Sequence, residues 1–244
     1  MRKTALPEDI LLSVEKAARY IGNEFGAIMK DAGDVKIRYA ICFPDVYEIG
    51  MSHLGIQILY DMFNRRSDVW CERVYSPWTD AASAMKREGI PLFALESQDR
   101  VRDFDFIGMT LQYEMCYTNI LQILDLAGVP LLAKERGEDM PIVIGGGPCT
   151  YNPEPLCDFF DIFFIGEGEA HYDEFFDLYI NMKEDAFFSK EAFLREAARI
   201  PGFYVPSFYE VGYNEDGTIA SFLPKEEGVP ATVKRQVITD LDAA

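Results

Sequence analysis

The chain has little histidine, no closely spaced cysteines and no basic tract. Its two histidines, His53 and His171, stand far apart, and no Ser–His–Asp or Cys–His set can be argued from spacing. The five cysteines are Cys42, Cys71, Cys116, Cys149 and Cys157, and the nearest two are eight positions apart. That excludes C-x-x-C and C-x-x-x-C-x-x-C, so no local zinc or iron–sulfur motif is present. An odd count on apolar segments reads as reduced, buried thiols in a cytoplasmic protein. Lysine and arginine together number 23 against 41 acids, a formal net charge of -18, with no basic run longer than two residues. Phosphate backbones need a basic surface, so nucleic acid is not an expected partner. No run approaches the ~20 apolar residues of a membrane helix, and the amino terminus carries no apolar stretch of signal-peptide length. No membrane partner is expected.

What is present suits a sizeable core: 244 residues, 49% hydrophobic and 14% aromatic. Short, near-continuous apolar runs alternate with helical patterns, as in a parallel sheet covered on both faces. Strands are expected at Ile37 to Phe43, Trp70 to Tyr75, Phe104 to Leu111, Pro141 to Ile144 and Asp161 to Ile165. Helices are expected at His53 to Asn64, Thr79 to Met85, Tyr117 to Leu126, Pro153 to Phe160 and Ala170 to Asn181. Pro91 to Leu95 reads as a short edge or connecting strand. Right-handed crossovers make the whole an α/β doubly wound five-stranded parallel sheet, flavodoxin-like or Rossmann-like. Before it, Pro7-Glu8-Asp9 opens a helical arm with apolar residues spaced through Phe25. After it come a helix, Lys190 to Arg199 capped near Ser189, and a β-hairpin over Phe203 to Phe222 that turns at Asn214-Glu215-Asp216-Gly217. The divisions are an arm at 1–34, the α/β domain at 35–183, the helix and hairpin appendage at 184–223, and a linker at 224–244.

Each strand ends in a loop of Gly, Pro, Asp or Thr, and those loops gather on one sheet edge. The first reads Pro44-Asp45-Val46-Tyr47-Glu48-Ile49-Gly50 and leads into a helix, the order in which α/β proteins build a ligand site. Asp45, Tyr47 and Gly50 are candidates there, though an ordinary loop capped by Asp45 is the better reading on spacing alone. Thr110 and Gln112 end the third strand, where a hydroxyl can face the edge or bond its own backbone. Gly145-Gly146-Gly147 lets a flat ligand or another backbone come close, or makes a tight turn before Pro148. It is neither G-x-G-x-x-G nor a P-loop. In Gly166-Glu167-Gly168-Glu169 two carboxylates precede a helix, where acids are favoured whatever the function, and Glu167 is taken as a ligand candidate.

Together these edges resemble the amino-terminal, cobalamin-binding-like domain of B12-binding radical SAM proteins. The resemblance runs through an Arg19-Tyr20-Ile21-Gly22-Asn23-Glu24 arm, Phe43 to Ser52, Leu54-Gly55, Ile144 to Pro148, Gly166 to Glu169, and Tyr204-Val205-Pro206-Ser207-Phe208-Tyr209. It covers most of residues 10 to 240. It implies a B12-binding-domain type of fold and a following radical SAM barrel as partner in the same polypeptide. A C-x-x-x-C-x-x-C motif in that barrel holds a [4Fe–4S] cluster that cleaves S-adenosylmethionine. This chain stops before such a motif, so the piece itself is not expected to be catalytic, while the parent is expected to be a radical SAM enzyme.

Relatives that bind cobalamin carry D-x-H-x-x-G in the first loop, and that histidine ligates cobalt. Tyr47 takes its place here. A phenol titrating near ~10 is a poor cobalt ligand at neutral pH. The resemblance therefore implies weak, base-off or no cobalamin binding, with Thr110 and Gly145-Gly146 as counterparts of the family's hydroxyl and glycine positions. Two other readings stay open. One is a cofactor-free interaction module packed on the barrel. The other is a free-standing flavodoxin-like enzyme for a small ligand, which the lack of a Ser/Thr-rich phosphate loop after strand one argues against for flavin.

Overall fold

The computed structural model describes residues 4–240. The outer ends of the expected arm (1–3) and of the expected linker (241–244) lie outside the described residues. The core is a sheet ordered β2-β1-β3-β4-β5-β6. Its strands are β1 (Ile37–Phe43), β2 (Val69–Tyr75), β3 (Phe106–Thr110), β4 (Ile142–Gly146), β5 (Ile162–Phe164) and β6 (Phe203–Tyr204). The first five pair in parallel and β6 pairs antiparallel to β5. The five-stranded expectation is thus corrected to six. Phe203 is fully buried and stacks on Phe175 at 4.5 Å, so aromatic burial draws the segment into the sheet edge rather than into the hairpin. The separate hairpin is β7 (Tyr209–Tyr213) with β8 (Ile219–Pro224), turning over Asn214 to Thr218.

The helices are α1 (Glu8–Ser13), α2 (Tyr47–Gly50), α3 (Leu54–Arg65), α4 (Thr79–Glu88), α5 (Tyr117–Ala127), α6 (Tyr172–Lys183) and α7 (Lys190–Ala197). Right-handed crossovers from β1 to β2 and from β3 to β4 run in opposite directions along the sheet, which sets α3 and α5 on opposite faces. Helices α3 and α6 share a face and meet through Phe63 and Phe176, whose rings lie 5.0 Å apart. Helices α4 and α5 share the other, linked by Lys86 and Asp125 at 2.6 Å. Pro153 to Phe160, expected as a helix, forms only a 3-10 turn at Glu154–Leu156. The Pro91 to Leu95 run forms no strand, only an isolated bridge from Phe93 to Arg100. Among the described residues no helix is long and apolar enough to cross a membrane.

The arm departs most from expectation. Its helix stops at Ser13, and Phe25 is fully exposed. Beyond Val14 the chain makes only a 3-10 turn at Ala17–Arg19 and isolated turns, and spends other polar groups on the body. Ile28 N–H donates to the Tyr60 hydroxyl at 2.7 Å, the Trp70 indole donates to Ile28 O at 3.1 Å, and Gln98 Nε2 donates to Tyr20 O at 3.3 Å. These long-range bonds override a helical spacing that local sequence favours.

Candidate functional site

Strands β1, β3, β4 and β5 all deliver their carboxyl ends to one edge, and the strand order reverses direction between β1 and β3. A cleft of about 160 Å³ opens there, under the amino-terminal ends of α3 and α6. Open α/β sheets bind ligands at such a reversal. Tyr39 and Ile41, alternate residues of β1, face it, and Gly108 and Thr110 do so from β3. Tyr39 forms the floor. A Cβ on Gly108 would lie 1.9 Å from its hydroxyl, so glycine is what lets the phenol lie across β3. Tyr39 meets Tyr172 edge-on, with ring centroids 6.4 Å apart, and burial pushes the Tyr172 phenol up to about 12.

The sequence-derived candidates divide between two places. Thr110, Gln112, Gly146 and Gly147 line the cleft. Gln112 Nε2 donates to Thr110 Oγ1, which fixes both side chains at the mouth. A Cβ on Gly146 would meet nothing within 4 Å, so the backbone there is open to a ligand. Gly147 has φ 97°, the left-handed region that a turn out of β4 needs. Gly145 points the other way: its Cβ would lie 2.5 Å from the Phe163 ring. Glu167 is not part of the lining, whereas Glu169 is. Instead Glu167 Oε2 accepts from Ile238 N–H at 2.5 Å.

Asp45, Tyr47 and Gly50 lie outside the cleft, on the β1–β2 side of the edge. Asp45 ties loops together: Oδ2 accepts from the Tyr113 hydroxyl at 2.8 Å and its carbonyl accepts from Ser76 N–H at 3.0 Å. Tyr47 packs edge-on against Tyr75, with centroids 5.3 Å apart, beside a cavity of only about 20 Å³. Burial, and then a hydrogen bond to Glu24, pushes its phenol up to about 12. Glu24 belongs to the arm and pairs with Arg73, which in turn binds buried Glu96 at 2.6 Å. Gly50 serves the same packing, since a Cβ there would lie 2.4 Å from the Tyr75 ring.

Two lining residues carry chemistry that spacing did not assign. His53 Nδ1 accepts from Ile56 N–H at 3.4 Å as the α3 cap, and its ring packs on Phe43 at 5.2 Å, leaving Nε2 as its other polar atom. Tyr39 reads in sequence as one more core aromatic, and its two-residue alternation with Ile41 is the signal that puts both on one face. Among the described residues no group of three His, Cys, Asp or Glu could hold a metal ion, and all five cysteines are free.

The model of a family described as radical SAM proteins, N-terminal, matches residues 55–206. That is more than half of the chain, which belongs to this family. An uncharacterized protein of Methanocaldococcus jannaschii is 29% identical over 134 residues, covering 54% of this chain and 24% of the relative. The chain thus spans about a quarter of that relative's length. No solved structure matches.

Proposed function

We propose that this member of the radical SAM N-terminal family is the accessory domain of a longer radical SAM enzyme, and that its carboxyl-edge cleft receives a ligand group. The barrel of that enzyme would hold the [4Fe–4S] cluster and S-adenosylmethionine. The order β2-β1-β3-β4-β5 of the parallel strands supports a flavodoxin-like type of fold. The resemblance of the edge loops to cobalamin-binding domains makes cobalamin the candidate, held weakly and with no cobalt ligand from the protein. A cleft of about 160 Å³ would take one group of it rather than the whole molecule. Cobalamin would supply a reactive cobalt–carbon centre to the barrel.

One observation carries this reading. Tyr47, which the resemblance sets at the position of the cobalt ligand, is turned into the arm network, while Gly146 leaves the neighbouring cleft open. Thr110 and Gln112 then offer the polar contacts and Gly146 the close approach. Equilibrium dialysis of the full chain with hydroxocobalamin tests it. We expect weak retention that Gly146→Leu abolishes and Tyr47→Phe leaves unchanged. Loss of retention in Tyr47→Phe would overturn the placement of the ligand away from Tyr47, and none in the unaltered chain would sink the cofactor part. The barrel is tested separately by the reading frame beyond Ala244, which should encode C-x-x-x-C-x-x-C.

A further inference from the structure

The segment after the hairpin is not idle. Tyr209 donates its hydroxyl to Pro230 O at 2.7 Å and Val229 is buried, so the chain is anchored as it leaves β8. It then crosses the carboxyl edge and pairs in parallel with the loop after β5, through the bridge of Gly166 with Gln236. Gln236 N–H donates to Ile165 O at 3.0 Å, and Glu167 N–H donates to Gln236 O at 3.1 Å. Ile238 N–H donates to Glu167 Oε2 at 2.5 Å.

The loop it binds is a wall of the cleft, since Gly166, Gly168, Glu169 and Tyr172 all line it. Gly166 has φ 135°, and a Cβ there would lie 2.4 Å from Gln236 O, so a glycine is what allows the two backbones to meet. His171, the residue before α6, has φ 61°, a strained state for a histidine. Its ring is held at both nitrogens, by Glu174 Oε2 at 3.3 Å and Gln236 Oε1 at 3.2 Å. The crossing segment also reaches the β4 side, where Arg235 Nη1 donates to the Tyr151 hydroxyl at 3.4 Å. Residues 234, 235, 237, 239 and 240 are exposed, so the contact rests on a few edge hydrogen bonds and little apolar burial. Such segments open well below the global unfolding energy.

We propose that residues 233–238 are a strap that sets the position of the β5-side wall of the cleft. Releasing the strap frees the Gly166–Glu169 loop and His171 at the start of α6, while Tyr172 stays packed among the core rings. Ligand occupancy of the cleft and the seating of this segment are then linked, each biasing the other by the same factor. The linkage rests on the cleft being a ligand site. The dependence of the wall on the strap does not.

Amide hydrogen exchange of the full chain without ligand tests that dependence. Gln236→Pro removes the donor to Ile165 O, and Gly166→Ala pushes the strap off from the other side. Ala170 N–H, bonded to Glu167 O, and Phe175 N–H, bonded to His171 O, do not touch the strap. In both variants these two amides should exchange faster by about tenfold, the loss of roughly one hydrogen bond's worth of protection. Amides of β1 and α5 should keep their rates, which reports an intact fold. Gln236→Ala keeps the backbone bonds and should accelerate Phe175 alone. If only the Glu167 and Ile238 amides change in these variants, with that of residue 236 where the variant keeps it, the segment is a passive tail and the strap is wrong. Because no ligand is added, that failure is distinct from a failure of the cleft to bind cobalamin.

Discussion

The carboxyl edge of the sheet has two halves made from the same kind of part, a strand ending in a glycine-bearing loop, with opposite outcomes. On the β1–β2 half, Gly50 makes room for the Tyr75 ring, Tyr47 packs on it, and the arm closes the gap with Glu24 against Arg73. On the β3–β5 half, Gly146 faces open space and the polar groups of Thr110 and Gln112 bond each other at a mouth. A glycine in a strand-end loop is therefore not by itself a sign of a ligand. What decides is whether the space it leaves is filled by the protein's own side chains.

The comparison breaks most readily at Arg73. Its guanidinium lies between Glu96 and Glu24 with its side chain nearly buried, so Arg73→Met removes the cation that compensates the buried Glu96 carboxylate. A loss of about 3–5 kcal/mol in urea-unfolding stability is expected. Adding Glu96→Gln should recover part of it, because the uncompensated charge is then gone.

Next comes the pair of adjacent glycines. Gly145→Ala drives a methyl into the Phe163 ring and should cost about 1–3 kcal/mol. Gly146→Ala meets nothing and should stay within about 0.5 kcal/mol. Equal costs would mean that the two residues do not face opposite sides of the sheet edge. Tyr113→Phe removes the phenol's bond to Asp45 and should cost about 0.5–1.5 kcal/mol by the same assay.

The smallest effect concerns pH. Hydrogen bonds from Lys16, and then from Arg19, draw the Glu48 carboxyl down to about 2 from its ordinary 4.5. A depressed carboxyl stabilises the fold fully above its unfolded value and loses that contribution as pH falls through the folded one. The advantage of the native chain over Glu48→Gln should therefore hold above pH 4.5 and fade towards pH 2. Since Glu48 is 40% exposed, solvent screening limits it to about 0.2–1 kcal/mol, readable as a small Tm difference.

Much of the fold was legible because apolar runs end at unmistakable stops: Pro44 after β1, Gly145 to Pro148 at β4, Gly166 after β5. Those stops also located the edge. The arm was not legible, because its helical spacing loses to bonds with Tyr60, Trp70 and Gln98 that are remote in sequence. Nor was β6, whose two residues join the sheet through rings contributed by α6. The place of Thr110 and Gln112 on the cleft was readable from their position at a strand end. Which of Gly145 and Gly146, or of Glu167 and Glu169, faces the cleft depends on local backbone direction, and residue type carries no record of that.

The division of the edge is tested most directly by amide NMR mapping of the full chain titrated with hydroxocobalamin. Shifts should concentrate at Thr110 to Gln112, Gly146-Gly147 and Gly166 to Glu169, with Tyr47 to Gly50 unmoved. Shifts centred on Tyr47 to Gly50, or none at the cleft, would contradict it.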